Sequence, residues 1–167
     1  MFNAAPSQTI QTPSGSKNIA FTLRVMREQV LKGRQNPYIR QFTAALITNA
    51  RLKQKDYLGE IHVIHNFVRD NVRYVRDIRN VETIHDADFI LKNRYGDCDD
   101  KTILCAAMLE SIGFTTRIRA VGFEKIGYCH VLLDVLFKGN WIPAETTEPV
   151  GLGWNPPNIT NSMILKV

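Results

Sequence analysis

The chain has 167 residues, of which 44% are hydrophobic and 22% are charged, and its formal net charge is +5. This length suits one domain with its own core, and the composition excludes a largely disordered chain. The charge is unevenly divided, because residues 1–80 carry 13 basic and 5 acidic groups whereas residues 81–167 carry 8 and 11. We expect no membrane anchor and no secretion signal, since no apolar run approaches ~18 residues and the N-terminus lacks a signal-peptide pattern.

The first 16 residues are rich in Ser, Thr, Gln, Pro and Gly. They predict a flexible or extended N-terminal arm over 1–16, followed by a single domain over 17–167. Apolar residues at helical spacing then predict three helices, over 17–33, 37–51 and 57–71.

The second half of the chain changes from helical to alternating patterns. A short helix is predicted over 86–92, and a longer one begins near Asp97 and ends at Gly113. Alternation predicts strands over 115–121, 130–137 and 141–144, the last two joined by a hairpin turn. The segment LGWNPP is expected to be a loop or an edge, because two prolines exclude a central strand. Helices followed by a small antiparallel sheet indicate an α+β fold.

Three cysteines, Cys98, Cys105 and Cys129, exclude a fully paired intramolecular disulfide framework. Their spacing is not that of a zinc site, so we expect free thiols in a reducing compartment, no metal and no cofactor.

Cys98 is the candidate nucleophile, because it stands at the start of a predicted helix. Backbone N–H groups and the helix dipole favour a thiolate at that position. The neighbouring carboxylates oppose it by repulsion. Asp99 and Asp100 are expected to cap the helix or to pair with Arg117 or Arg119.

His130 is the candidate general base, because it begins an apolar strand that follows the Cys98 helix. His62 and His65 lie on the third predicted helix, where packing or surface roles are expected. His85 precedes the short helix and is expected in a loop.

The acid that would orient His130 is left open by spacing alone. Asp134 shares its face but lies ~13 Å along the strand, which is too far to bond the ring. Counting about the hairpin turn pairs His130 with Glu148 and puts Glu145 opposite Leu133, on the other face. A bulge or a longer turn would bring Glu145 across.

Several segments together resemble the transglutaminase-like cysteine hydrolase superfamily. They are YGDCDDK at 95–101, the helix ending at Gly113, the strand beginning at His130, WIPAET at 141–146 and, upstream, VRDNVRY at 68–74. The resemblance covers roughly residues 60–150, with its motifs in the family's order.

This resemblance implies a papain-like α+β fold and a Cys–His–acid triad. Cys98 matches the nucleophile, His130 the base, and Glu145 stands where the family usually has Asp. The backbone N–H of Cys98 would contribute to an oxyanion hole, with Tyr95 as a weaker side-chain candidate. The implied activity is hydrolysis of an amide bond in a peptide, a peptidoglycan cross-link or a Gln side chain, through a thioester.

The short domain, the N-terminal arm and the ending W-x-P-x-E-T-T-x-P-x-x-L-G-W are also similar to transglutaminase-like proteins of tailed bacteriophages and prophages. This similarity implies a virion or host-cytoplasm location and phage structural proteins as possible partners. The alternative function is a non-catalytic tail or neck component built on the same fold. Nucleic-acid binding is not expected, because no recognisable binding motif accompanies the basic residues.

Overall fold

The structure of the protein, a computed structural model, describes residues 8–10, 16–77 and 82–167. Within these residues the helices are α1 (Ser16–Gln35), α2 (Pro37–Asn49), α3 (Tyr57–Asn71), α4 (Ala87–Asn93) and α5 (Cys98–Ser111). The strands are β1 (Gln8–Ile10), β2 (Arg73–Tyr74), β3 (Glu82–Ile84), β4 (Tyr95–Gly96), β5 (Thr116–Phe123), β6 (Gly127–Phe137), β7 (Asn140–Ala144) and β8 (Ile159–Lys166). The predicted α+β order is confirmed. None of the described helices is both long and apolar enough to cross a bilayer.

The predicted arm over residues 1–16 lies mostly outside the described residues. Its described part is β1, which pairs antiparallel with β3, and Ser16, where α1 begins. The division into an arm and a single domain stays a prediction.

Helix α5 is the centre of the fold. All of its residues except Cys98 and Glu110 are buried, as expected of a helix that is packed on every side. Helix α1 approaches it very closely, since a Cβ on Gly33 would lie 2.8 Å from the Cβ of Ala107 and of Ala87. Glycine therefore lets α1 and α4 close over α5, and only Cys98 at its N-terminus and Glu110 near its C-terminus remain partly open.

The main sheet covers another side of α5. Its strand order is β7-β6-β5-β8, with every neighbouring pair antiparallel. One face packs into the core through buried apolar side chains of β5 and β6, including Ile118, Ala120, Val131, Leu133 and Val135. By strand alternation the opposite face carries His130. The segment LGWNPP precedes the outer strand β8. The sequence analysis did not predict this strand.

The β6–β7 hairpin corrects the predicted register by one residue. Leu133 pairs with Ala144 and Phe137 with Asn140, leaving a two-residue loop of Lys138 and Gly139. Both loop residues have positive φ, 48° and 81°, as a type I′ turn requires. Counting about one central residue was wrong, because such turns contain two.

Candidate active site

The start of α5 is shaped to present Cys98. Asp97 caps the helix, its carboxylate accepting hydrogen bonds from the backbone N–H of Asp99 (3.0 Å) and of Asp100 (3.3 Å). A Cβ on Gly96 would lie 2.4 Å from the Cβ of Asp100. Only glycine therefore fits at position 96, where the chain runs close to the first turn of α5. The GDCDD motif thus supplies the N-cap of α5 and the glycine that lets the chain enter this helix at Cys98.

The Cys98 thiol reaches strand β6. The side chain is half-buried, and the backbone N–H of Val131 hydrogen-bonds to its sulfur. Val131 directly follows His130, so the nucleophile candidate lies against the strand that carries the base candidate.

The surroundings of Cys98 do not by themselves favour a thiolate. Burial, and then the charges of Asp99 and Asp97, raise the pKa of the Cys98 thiol, and the Val131 hydrogen bond offsets this only in part. Burial and the charge of Asp100 raise the pKa of Asp97 to about 7. The raised pKa weakens the repulsion between Asp97 and a thiolate on Cys98. A proton acceptor for Cys98 is still needed.

His130 is held by Glu145. The imidazole Nε2 lies 2.6 Å from Oε2 of Glu145, and the two side chains are 16% and 1% exposed. Continuing the observed hairpin register by one residue puts Glu145 opposite Leu132, on the face of His130. The two-residue turn brings the acid across without the bulge or longer turn that counting along the sequence required.

The Glu145 carboxylate is fully engaged and ionised. Its Oε1 accepts hydrogen bonds from the backbone N–H of Thr147 (2.6 Å) and of Glu148 (3.3 Å). Burial opposes ionisation, but the hydrogen bonds from His130, Thr147 and Glu148 outweigh it and lower the pKa of Glu145. Since an ionised carboxylate only accepts, Nε2 of His130 carries the proton and Nδ1 is the nitrogen that can take one.

Glu148, the other acid that spacing left open, does not hold the histidine. Its side chain is exposed, and its contribution to the site is the backbone N–H that bonds to Glu145.

The structure puts Tyr95 and Tyr74 in different surroundings. The Tyr95 ring meets His85 and Phe89 edge-on, at centroid distances of 6.4 Å and 5.9 Å. Tyr74 is 46% exposed, and partial burial followed by the charge of Cys98 raises the pKa of its phenol. Sequence reasoning named only Tyr95, although Tyr74 ends the upstream segment that carried the resemblance.

Asp100 has a partner other than those expected. Asp100 accepts hydrogen bonds from the backbone N–H (3.0 Å) and Nδ1 (2.8 Å) of His85, whose ring stacks on Phe89. The hydrogen bond to Asp100 raises the pKa of His85.

Arg117 and Arg119 were expected to pair with Asp99 or Asp100, but the ion pairs that the structure shows for them are with another carboxylate. Both arginines bind Asp134, at 2.8 Å and 2.9 Å, because strand register sets the three side chains side by side on the sheet.

Among the described residues, one group has the composition of a metal site. The ligand atoms of Asp97, Cys98 and Asp99 lie within 4.8 Å of one another. The cap hydrogen bonds already engage Asp97, and Cys98 Sγ lies 3.6 Å from Oδ1 of Asp99. Helix capping therefore accounts for the position of the Asp97 carboxylate in this group.

His65 was expected only to pack or to lie on the surface, and it does more. It is fully buried, and its Nε2 lies 2.5 Å from the backbone oxygen of Glu145. The two residues are 80 positions apart, so no local signal in the sequence links them.

The family profile that matches the chain is that of the transglutaminase-like superfamily, over residues 43–146. The chain belongs to this superfamily. The match includes Cys98, His130 and Glu145, and it agrees with the family that the sequence motifs indicated. The comparison with curated proteins found no match.

Two solved structures share the fold. A protein from Parabacteroides distasonis described as a "putative protease" aligns with a TM-score of 0.61 at 15% identity, over 75% of this chain and 26% of that one. A "putative cysteine protease" from Cytophaga hutchinsonii aligns with a TM-score of 0.54 at 14% identity, over 91% of this chain and 52% of that one. The chain thus spans about a quarter and about half of these two proteins.

Proposed function

We propose that this transglutaminase-like protein is a cysteine hydrolase that cleaves an amide bond through Cys98, His130 and Glu145. The 2.6 Å contact between His130 Nε2 and Glu145 is the observation that carries the proposal. This contact orients the imidazole so that Nδ1 is free to accept a proton. His130 directly precedes Val131, whose backbone N–H hydrogen-bonds to the Cys98 sulfur.

Catalysis would follow the acyl-transfer route. Nδ1 of His130 removes the Cys98 proton, and the sulfur forms a bond to the amide carbonyl carbon. The carbon–nitrogen bond then breaks as the imidazolium gives its proton to the leaving amine, which leaves a thioester on Cys98. Water, deprotonated by His130, attacks the thioester and releases a carboxylic acid and the free thiol. Glu145 stabilises the imidazolium in both halves of the reaction.

Oxyanion stabilisation is proposed for the backbone N–H of Cys98 at the start of α5, where the helix dipole is favourable. Tyr74 and Tyr95 are the candidates for an additional side-chain contribution.

The substrate is tested with three probes: casein, cross-linked peptidoglycan fragments, and a glutamine peptide with and without a primary amine. We expect new carboxylic acid or amide products with at least one probe and their loss in Cys98→Ala. Cys129→Ser, which alters an exposed thiol, is the matched control and should retain activity. Product formation that persists in Cys98→Ala would refute the proposal.

A non-catalytic assembly role in a phage virion is the second proposal, taken from the similarity of the C-terminal motif. Strand β8 supports it, because it is an outer strand of the described main sheet and can pair with a strand from a partner. Co-sedimentation with assembled particles distinguishes the proposals, since an assembly role predicts equal incorporation of wild type and Cys98→Ala.

A further inference from the structure

The Glu145 backbone is held from outside the sheet. Among the described strands β7 pairs only with β6, and its last ladder pair is Ala144 with Leu133. Glu145 follows that pair, so the ladder does not fix its carbonyl. His65 on α3 approaches this carbonyl oxygen through Nε2 at 2.5 Å.

The direction of this hydrogen bond defines the state of His65. A carbonyl oxygen can only accept, so Nε2 of His65 carries the proton. Burial, assisted by the charges of Arg69 and His62, lowers the pKa of His65, although the hydrogen bonds with Glu145 and Asn66 oppose this. The ring is therefore neutral near pH 7, and its single N–H is directed at Glu145. Nδ1 then lies 3.3 Å from the side-chain amide of Asn66, which is turned so that its NH₂ donates to this nitrogen.

A second contact extends the attachment along the same loop. Arg69, one helical turn after His65, donates from a terminal guanidinium nitrogen to the backbone oxygen of Val150 at 2.8 Å. Helix α3 thus binds the segment 145–150 at both ends.

The same helix is tied to the nucleophile helix. Lys101, one turn into α5 from Cys98, is 2% exposed and donates from Nζ to the backbone oxygens of Val72 (2.7 Å) and Arg69 (3.2 Å). Helix α3 therefore connects the element that carries the nucleophile to the loop that carries the acid.

We infer that His65 is a positioning residue, which holds the Glu145 backbone so that its carboxylate stays aligned with His130. This inference rests on the proposed cysteine chemistry and adds a residue to it. Without the His65 hydrogen bond, the Glu145 carbonyl shifts, the contact with His130 Nε2 loosens, and Cys98 loses an oriented base.

The test compares two amide substitutions that differ in reach. In His65→Gln the side-chain nitrogen takes the place of Nε2 and can still donate to Glu145, whereas in His65→Asn it falls short. His62→Asn is the matched control, because His62 lies on the same helix but is exposed. Circular dichroism and thermal melts set a temperature at which all variants are folded.

The readout needs no substrate. Alkylation of Cys98 by iodoacetamide is followed by peptide mass spectrometry between about pH 5 and pH 9, where imidazole and thiol groups titrate. Exposed Cys129 is the internal reference. The ¹⁵N chemical shifts of labelled His130 report which ring nitrogen carries the proton, and a purely structural role for His65 would leave them unchanged.

We expect His65→Asn to slow Cys98 alkylation at neutral pH by about 10-fold or more, because small displacements of a catalytic group have effects of that size. The His130 shifts should lose the Nε2–H pattern, whereas His65→Gln and His62→Asn should resemble wild type. A wild-type pH profile and wild-type His130 shifts in His65→Asn would overturn the inference while leaving the proposed function intact. The proposed function fails instead if wild-type Cys98 reacts like Cys129 and His130→Ala changes nothing.

Discussion

Replacing Glu145 by Gln tests the base and its tautomer together. The carboxylate accepts hydrogen bonds from His130 Nε2 at 2.6 Å and from two backbone N–H groups. Gln has the same shape, but its amide can satisfy those backbone donors only through its oxygen, which turns the NH₂ group toward His130. The histidine then accepts at Nε2 and carries its proton on Nδ1, where it cannot act as a base.

The expected loss of Cys98 reactivity in Glu145→Gln follows from the hydrogen bond to a charged carboxylate that this substitution removes. Such a bond to a buried carboxylate contributes about 1.5–3 kcal/mol, which corresponds to roughly 10- to 150-fold in rate. We therefore expect Cys98 alkylation at neutral pH to slow by that factor in Glu145→Gln. Hydrolytic turnover should fall further, by up to about 10⁴-fold, as it does when an orienting acid is amidated in a serine protease triad.

Glu148→Gln is the matched control, because its exposed side chain lies three residues away and its backbone N–H is unchanged. Rates are measured by peptide mass spectrometry with Cys129 as reference. Equal losses in both variants, or none in Glu145→Gln, would contradict the assignment of the acid.

Three further predictions concern stability and use urea denaturation. Gly96→Ala should lower the free energy of unfolding by about 1–3 kcal/mol, since its Cβ would lie 2.4 Å from that of Asp100, whereas Gly151→Ala meets nothing within 4 Å and should be neutral. The hydrogen bond to Asp100 raises the pKa of His85 above 6.5, so its stabilisation is complete below that pH and is lost as pH rises through the folded value. His85→Gln should therefore destabilise the protein at pH 6 and have little effect well above the folded pKa; a constant loss would exclude ion pairing. Asp134→Asn should cost about 3 kcal/mol, because it leaves the charges of two arginines uncompensated, and unchanged stability would contradict that.

The helices could be predicted because their apolar residues recur at helical spacing. The three N-terminal helices begin and end within two residues of the predicted bounds. Strand β8 was missed for an equally physical reason. It is an outer strand whose Thr160, Asn161 and Ser162 are all exposed, so its sequence lacks the alternation by which a half-buried strand is recognised.

The candidate site was predictable where its signals are local. Cys98 could be named because a helix start and a glycine adjoin it, and His130 because it begins an apolar strand. The contact of His65 with Glu145 and that of His85 with Asp100 could not be predicted, because the two residues of each pair are 80 and 15 positions apart. Such contacts depend on how α3 and α4 pack against α5, and periodicity within one element carries no information about that packing.

Glu145 stands where the resemblance implies an aspartate, and it lies just beyond the end of β7. The acid stands one residue beyond the last ladder pair, so it must reach back to His130 on the neighbouring strand while its backbone turns away from the sheet. The longer side chain spans this gap: Oε2 meets the histidine, and Oε1 returns to the N–H groups of Thr147 and Glu148. His65 holds the carbonyl of the same residue from the opposite side. We propose that this backbone, which is anchored from α3, accommodates the extra methylene, and that Glu145 and His65 together orient His130.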